Sequence, residues 1–280
     1  MSSSWATIGN VAHVVSLVSV ATFAFCVATQ RQLFDAYWKE WGFCVANVDV
    51  PYWNSHDLCF YTDTFLAFVV GVMYMLLYKE PGMQPANDLV GFSTLGVLGH
   101  GAGHGAIAAG MRNGYENMLE DGQKLNYEVT HFDSAMEFAL KMGPYLFFWI
   151  ALLKSAVPKG SWSSIAGMSA ASMALGLIIP KNLGFTYVQT ILFLAFDINE
   201  MLKPKKEKGF EYALYPIMVG IPVSVVGWIE STMCTKGVID IGGHLIYDAC
   251  IPLCMLAFYM VCYLRTQATT AATEKKQKAA

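Results

Sequence analysis

Long apolar runs separated by short polar breaks dominate the pattern of this sequence. The runs last about 20 residues, the length that a helix needs to cross a hydrocarbon layer about 30 Å thick. Backbone amides inside such a layer must be bonded within their own segment, so each run predicts a transmembrane helix. The eight runs cover approximately residues 8–29, 60–78, 89–111, 138–157, 162–179, 185–202, 210–233 and 238–264.

Turn-forming residues lie between the runs. Proline with glycine, lysine or asparagine occurs at 80–82, 158–160 and 180–182, where each cluster predicts a break. The fifth run is rich in serine and alanine, so a count of seven helices is the alternative to eight. Pro216 and Pro222 lie inside the seventh run and predict kinks there.

The composition supports the same fold class. Hydrophobic residues make up 55% of the 280 residues and charged residues 14%, against about 25% charged in a typical soluble domain. We therefore predict an all-α, polytopic transmembrane helix bundle over residues 1–264 and a disordered cytoplasmic tail over 265–280. The net charge of −3 gives no sign of nucleic-acid binding, and membrane lipids are the expected partners.

Basic residues indicate the orientation, because cytoplasmic loops carry an excess of lysine and arginine. The strongest cluster lies at 203–208, and the tail is also basic, so both are predicted to be cytoplasmic. Lys276 and Lys278 resemble a dilysine retrieval signal, which predicts an endoplasmic-reticulum membrane protein. Cys44 and Cys59 then lie on the other side, where a disulfide could form; free thiols remain the alternative.

Glycine and histidine alternate in the third run. His100 and His104 are four residues apart, so they share one helix face and could chelate one metal ion. Ser93 lies about two turns earlier on nearly the same face. The glycines permit close helix contact. A packing helix whose histidines hydrogen-bond to neighbouring helices is the alternative interpretation.

The eighth run begins with a second polar ladder, formed by Asp240, His244 and Asp248 at four-residue spacing. In the predicted topology this ladder, His104 and Asp63 lie at a similar depth. Polar groups inside a membrane are costly and usually functional, so we predict one shared site. Its candidate metal ligands are His100, His104 and His244, and its candidate catalytic residues are Ser93, Asp63 and Asp248.

The combination of Ser93 with His100, followed late in the chain by the segment from Trp228 to His244, resembles a superfamily of seven-helix membrane hydrolases. That superfamily includes the alkaline ceramidases and the progestin and adipoQ receptors. The resemblance implies zinc and the hydrolysis of lipid amides. This chain departs from the family pattern in two ways: the His-x-x-x-His pair is early, and the late element is His244-x-x-x-Asp248.

A zinc-dependent lipid hydrolase is the first functional hypothesis. The three histidines would hold zinc and a water molecule, Asp248 or Asp63 would act as base or orient a ligand, and Ser93 would hold the substrate carbonyl. A proton-coupled transporter or channel would use the same residues as a proton relay. A haem protein with His104 and His244 as axial ligands and a non-catalytic scaffold subunit are further alternatives.

Overall fold

The computed structural model describes residues 56–108, 146–155, 157–178, 209–232 and 241–279. Within these ranges every regular element is helical and no strand occurs. The first and sixth predicted runs, and the predicted cytoplasmic cluster at 203–208, lie outside the described residues. The helical fold class is therefore confirmed for the described part, and the count of eight stays a prediction.

Seven α-helices occur within the described ranges, and they follow the predicted runs closely. Runs two, three, five and eight each contain one helix, and run seven contains two. The remaining helix covers the second half of run four. A π-helical turn, Pro216–Gly220, joins the fifth and sixth helices. The helices are α1 His56–Leu77, α2 Gln84–Ala108, α3 Leu146–Ser155, α4 Trp162–Ile178, α5 Phe210–Tyr215, α6 Ile221–Thr232 and α7 Gly243–Ala279.

Three of the described segments are long and apolar enough to cross a membrane. By length and composition they are Leu58–Leu77, Phe210–Gly227 and Gly243–Ala279. Large apolar side chains also lie exposed along α1, where Phe65 and Phe68 are 65% and 66% exposed. A lipid environment accommodates such a surface, whereas contiguous apolar patches are rare on soluble monomers. These features indicate a membrane protein.

A tight turn folds α2 back against α1. The N–H of Glu80 donates to the Leu77 carbonyl at 3.0 Å, and the N–H of Met83 donates to the Glu80 carbonyl at 3.2 Å. Gly82 has a φ of +90°, a conformation that glycine adopts without strain. Because the connection is short, α1 and α2 are antiparallel neighbours, as the break at 80–82 predicted.

The core lies where α7 and α5 pack against this pair. Val70 of α1, Leu89 of α2, Tyr215 of α5 and Phe258 of α7 are all at most 1% exposed. The start of α7 meets the end of α2, and Thr266 near the other end of α7 donates to the Met83 sulfur at the α1–α2 turn. α7 therefore runs in the same direction as α1.

Proline shapes the run that contains α5 and α6. Proline lacks an N–H and disturbs a regular helix, and the structure has a π-helical turn that begins at Pro216. The N–H of Ile221 donates to the Pro216 carbonyl, which closes this wider turn. A Cβ on Gly220 would lie 2.9 Å from a Leu152 methyl, so the turn also brings α3 close.

The tail differs from its prediction. Residues 265–280 were expected to be disordered, but α7 continues as a helix to Ala279. Alanine, glutamate, lysine and glutamine in this segment are good helix formers. Thr269, Thr270 and Thr273 each donate a hydrogen bond to the carbonyl four residues earlier, at 2.9–3.1 Å. Polarity alone suggested disorder, whereas helix propensity and continuity with an apolar helix favour the helix.

Candidate metal centre

Six side chains that can bind metal meet at one end of the packing between α1, α2 and α7. Two come from near the start of α1, two from near the end of α2 and two from the first two turns of α7. All six are between 0% and 7% exposed. They are Cys59, Asp63, His100, His104, His244 and Asp248.

Three imidazoles converge on the carboxylate of Asp248. The Nε2 atom of His104 lies 3.0 Å from Nε2 of His244 and 3.3 Å from Nε2 of His100. Asp248 Oδ1 lies 3.2 Å from His100 Nε2 and 3.5 Å from His244 Nε2. Asp248 Oδ2 lies 3.7 Å from His104 Nε2. The structure thus brings the three predicted histidines and Asp248 together in one buried cluster, and their common depth in the membrane stays a prediction.

These separations fit ligands around an ion. Metal–nitrogen and metal–oxygen bonds of about 2.0–2.2 Å at a tetrahedral ion place neighbouring ligands about 3.3–3.6 Å apart, close to the 3.0–3.7 Å observed. Hydrogen bonds among the three imidazoles explain these short distances less well than a shared ion does. Nε2 of His104 lies beside two other Nε2 atoms, and a neutral imidazole nitrogen either donates one hydrogen bond or accepts one.

The six residues form two overlapping groups of four. In each group one ligand atom per residue lies within 4.8 Å of all the others, and His104 and Asp248 belong to both groups. The first group adds Cys59 and His244, and the second adds Asp63 and His100. Imidazole, carboxylate and thiolate are the donors that zinc and neighbouring transition metals accept in proteins.

Unpaired carboxylate oxygens mark this end of the molecule. Neither oxygen of Asp63 has a hydrogen-bond partner among the described residues, and neither does Oδ2 of Asp248. Burying an ionised carboxylate is costly unless it is paired or binds a metal. A cation bound between these side chains would supply the missing partner.

Glycines on α2 bring α1 close enough to complete the centre. A Cβ on Gly101 would lie 2.8 Å from Cβ of Asp63, and one on Gly105 would lie 2.9 Å from the ring of Phe60. Both distances are too short for real side chains, so the two helices approach this closely only with glycine at these positions. The predicted role of the glycines in helix contact is confirmed here.

Tyr247 supports the imidazoles. Its ring stacks on His244 with centroids 5.6 Å apart and meets His100 edge-on at 6.4 Å. A Cβ on Gly227 of α6 would lie 2.8 Å from the Tyr247 ring, so α6 packs directly behind it. The sequence analysis missed Tyr247, although its position beside Asp248 and three residues after His244 was a signal.

Cys59 is the second residue that sequence reasoning missed at this centre. It was considered for a disulfide with Cys44, which lies outside the described residues, so that pairing stays a prediction. The structure buries Cys59 completely and places its sulfur near His104 and His244. Its position one helical turn before Asp63 is the signal that could have identified it.

Ser93 is not part of this group. Its hydroxyl donates to the Leu89 carbonyl at 2.8 Å and hydrogen-bonds with the hydroxyl of Tyr215. Seven residues separate Ser93 from His100, which is about 10 Å along a helix. The structure therefore uses Ser93 in the contact between α2 and α5. Asp240 lies outside the described residues.

No protein-family model, curated protein or solved structure matches this chain. The resemblance to the seven-helix membrane hydrolases therefore stays a prediction, and the functional argument depends on the geometry of the centre.

Proposed function

We propose that this chain is a metal-dependent membrane hydrolase that cleaves an acyl bond, with lipid amides as the substrate class. The observation that carries the proposal is the convergence of three imidazole nitrogens on Asp248, beside the unpaired carboxylate of Asp63. This group is buried between helices suited to a membrane. A structural polar contact would leave fewer acceptors unsatisfied.

The donor set favours zinc as the ion. Histidine and carboxylate ligands at these separations suit a tetrahedral ion with one position open to water. A bound zinc ion polarises a carbonyl group and makes hydroxide available near neutral pH. Three of the four side chains His100, His104, His244 and Asp248 would hold the ion and leave that position open, and Tyr247 packs against two of the imidazole rings.

The protein's own proton acceptor in this scheme is Asp63. An oxygen of Asp63 takes a proton from the attacking water while the water oxygen bonds to the substrate carbonyl carbon. When the carbon–nitrogen bond breaks, Asp63 returns the proton to the leaving amine. Ser93 has no part in the scheme, because its hydroxyl is engaged by Tyr215 and Leu89.

The depth of the centre supports a lipid substrate. Cys59 and Asp63 lie near the start of the apolar segment of α1, and His244 lies at the start of α7. The centre is therefore near one end of two membrane-crossing segments, where the acyl linkages of lipids lie. Tyr61 and Phe65 flank Asp63 on α1 and are 59% and 65% exposed, which suits contact with lipid.

The haem alternative does not suit this geometry. The Nε2 atoms of His104 and His244 are 3.0 Å apart, and a porphyrin does not fit between two axial ligands at this separation.

The transporter alternative uses the same His–Asp chain as a proton path. It differs from the hydrolase in needing no metal, so metal dependence separates the two. A scaffold subunit predicts neither metal nor activity.

The proposed orientation places the metal centre on the non-cytoplasmic side. It depends on the basic cluster at 203–208 and on the lysines at the end of α7. An endoplasmic-reticulum location stays a prediction of Lys276 and Lys278, which are exposed on that helix. Protease protection of a tag after α7 in sealed microsomes tests the orientation, and a luminal tag contradicts it.

Metal analysis with a lipid amidase assay tests the proposed function. The full chain, extracted in mild detergent, should contain stoichiometric zinc and release fatty acid from a fluorescent lipid amide. A chelator should stop the release, and zinc should restore it. Tyr259→Phe, which alters a hydrogen bond at the opposite end of the same helices, is the matched control and should keep both properties. Metal-free protein with full hydrolytic activity contradicts the proposal.

A further inference from the structure

We infer that this centre binds two divalent ions rather than one, with the carboxylate of Asp248 shared between them. The inference rests on the proposed metal-dependent function and goes beyond it in the number of ions and in the ligands of each. The ligands of the first ion are Asp63, His100 and Asp248, and those of the second are Cys59, His104, His244 and Asp248.

The number of donors exceeds what one tetrahedral ion uses. Such an ion takes four ligands, whereas six candidate donors surround this centre in two groups of four. The shared members are His104 and Asp248. An imidazole nitrogen binds one ion, but a carboxylate has two oxygens and can bind two. His104 belongs with His244, because their Nε2 atoms are 3.0 Å apart against 3.3 Å between His104 and His100.

The position of the Asp248 carboxylate suits a ligand that bridges two ions. Oδ1 lies 3.2 Å from His100 Nε2 and 3.5 Å from His244 Nε2, and Oδ2 lies 3.7 Å from His104 Nε2. The carboxylate therefore lies between imidazoles that belong to different ions in this assignment. Two-metal hydrolytic sites hold their ions about 3.5–4 Å apart, a distance that one carboxylate bridges.

Charge also favours two ions. As metal ligands, Asp63, Asp248 and a Cys59 thiolate would carry three negative charges, and each of these residues is 0% exposed. One divalent ion leaves an uncompensated negative charge there, which is unfavourable in a medium of low dielectric constant. Two divalent ions leave one positive charge, which a hydroxide neutralises. The second ion thus supplies a partner for the carboxylate oxygens that make no hydrogen bond to the described residues, which are both oxygens of Asp63 and Oδ2 of Asp248.

The two ions have different roles in this arrangement. The ion at Cys59, His104, His244 and Asp248 has four protein ligands, as structural zinc sites do. The ion at Asp63 has three, so it keeps an open position for water and substrate. Asp63 binds through one oxygen, and its other oxygen remains to accept the proton of the attacking water.

Metal content and cobalt spectroscopy of the full chain test the inference. The metal-stripped protein is loaded with zinc alone or cobalt(II) alone. Wild type should bind two ions per chain, and the cobalt form should show a thiolate-to-cobalt charge-transfer band and magnetic coupling between the ions. Both wild-type measurements stand even if a variant fails to fold.

Two variants assign the ions. Cys59→Ser should lose the charge-transfer band and one ion, and Asp63→Asn should lose one ion and keep the band. Cys262→Ser is the matched control, because Cys262 is a buried thiol on the same helix, 18 residues after His244 and away from the centre. It should keep the band and both ions.

The alternative outcomes are distinguishable. One ion per wild-type chain, with no band and no coupling, overturns the pair of ions but leaves a single-ion hydrolase intact. No bound metal in active protein overturns the proposed function as well. Two ions retained by both Cys59→Ser and Asp63→Asn overturn the ligand assignment.

Discussion

The two ends of the packing between α1, α2 and α7 are both polar and buried, yet their polar groups are arranged differently. At the end near the α1–α2 turn, the amide of Asn87 donates to the Tyr78 carbonyl at 3.0 Å and accepts a hydrogen bond from the Tyr259 hydroxyl. Nearby, Arg265 donates to Glu211. Donors and acceptors are matched there, so these groups stabilise packing.

The metal-centre end has an excess of acceptors. The carboxylate oxygens of Asp63 and Oδ2 of Asp248 have no hydrogen-bond partner among the described residues, and Nε2 of His104 lies 3.0 and 3.3 Å from the Nε2 atoms of His244 and His100. Because buried polar groups in proteins are nearly always paired, this contrast favours a group that could hold a metal ion over a purely structural contact.

His104→Ala should have the largest effect, because Nε2 of His104 lies between the other two imidazoles, 3.0 Å from His244 Nε2 and 3.3 Å from His100 Nε2. We expect metal affinity to fall by more than the roughly 10–100-fold typical of losing an outer hydrogen-bond partner of a ligand, with loss of activity. Asn87→Ala, at the other end of α2, should lower stability and leave metal content unchanged. Equal metal content in both variants would remove the distinction between the two ends.

Metal removal should destabilise the wild type. A ligand that binds only the folded state stabilises it by about 2.7 kcal/mol at one hundred times its dissociation constant. Thermal unfolding in detergent, with chelator and then with zinc, measures this shift. Asp248→Ala should show no response to zinc. A zinc-dependent shift of the same size in Asp248→Ala would place the bound ion elsewhere.

Gly101→Ala should weaken the centre without touching a ligand. The added Cβ would lie 2.8 Å from Cβ of Asp63, so α1 must move away. We expect a destabilisation of about 1–3 kcal/mol and a measurable loss of metal on titration. Gly91→Ala on the same helix is the control, because its Cβ would lie 3.6 Å from the Tyr74 ring, an ordinary contact. Equal effects of the two alanines would contradict the close approach.

Tyr259→Phe should have the smallest effect. It removes the hydroxyl that donates to Asn87, and interhelical hydrogen bonds in membranes are worth about 0.6 kcal/mol on average and at most about 1.7. The midpoint of unfolding should fall slightly, while zinc content and the cobalt spectrum stay unchanged. A change in metal binding would show that the two ends are coupled.

Several elements could be predicted from the sequence because their signals are local. Apolar runs of about 20 residues predicted helices that the structure shows as α1, α2, α4 and α7. The four-residue spacing of His100 and His104 placed them on one helix face. The tail after Arg265 was predicted less well, since polarity does not distinguish a disordered segment from an exposed helix of good helix formers.

Length, hydropathy and helical spacing are properties of each segment alone, so they were enough to predict a membrane helix bundle with costly polar groups inside its apolar helices. Which of those groups meet depends on how the helices pack. The structure places Cys59 and Tyr247 at the centre, and it places the Ser93 hydroxyl in a hydrogen bond with Tyr215. Such contacts depend on how closely two helices approach each other. Here the small volume of Gly101 and Gly105 at the contact with α1 permits that approach, and no single segment reveals it.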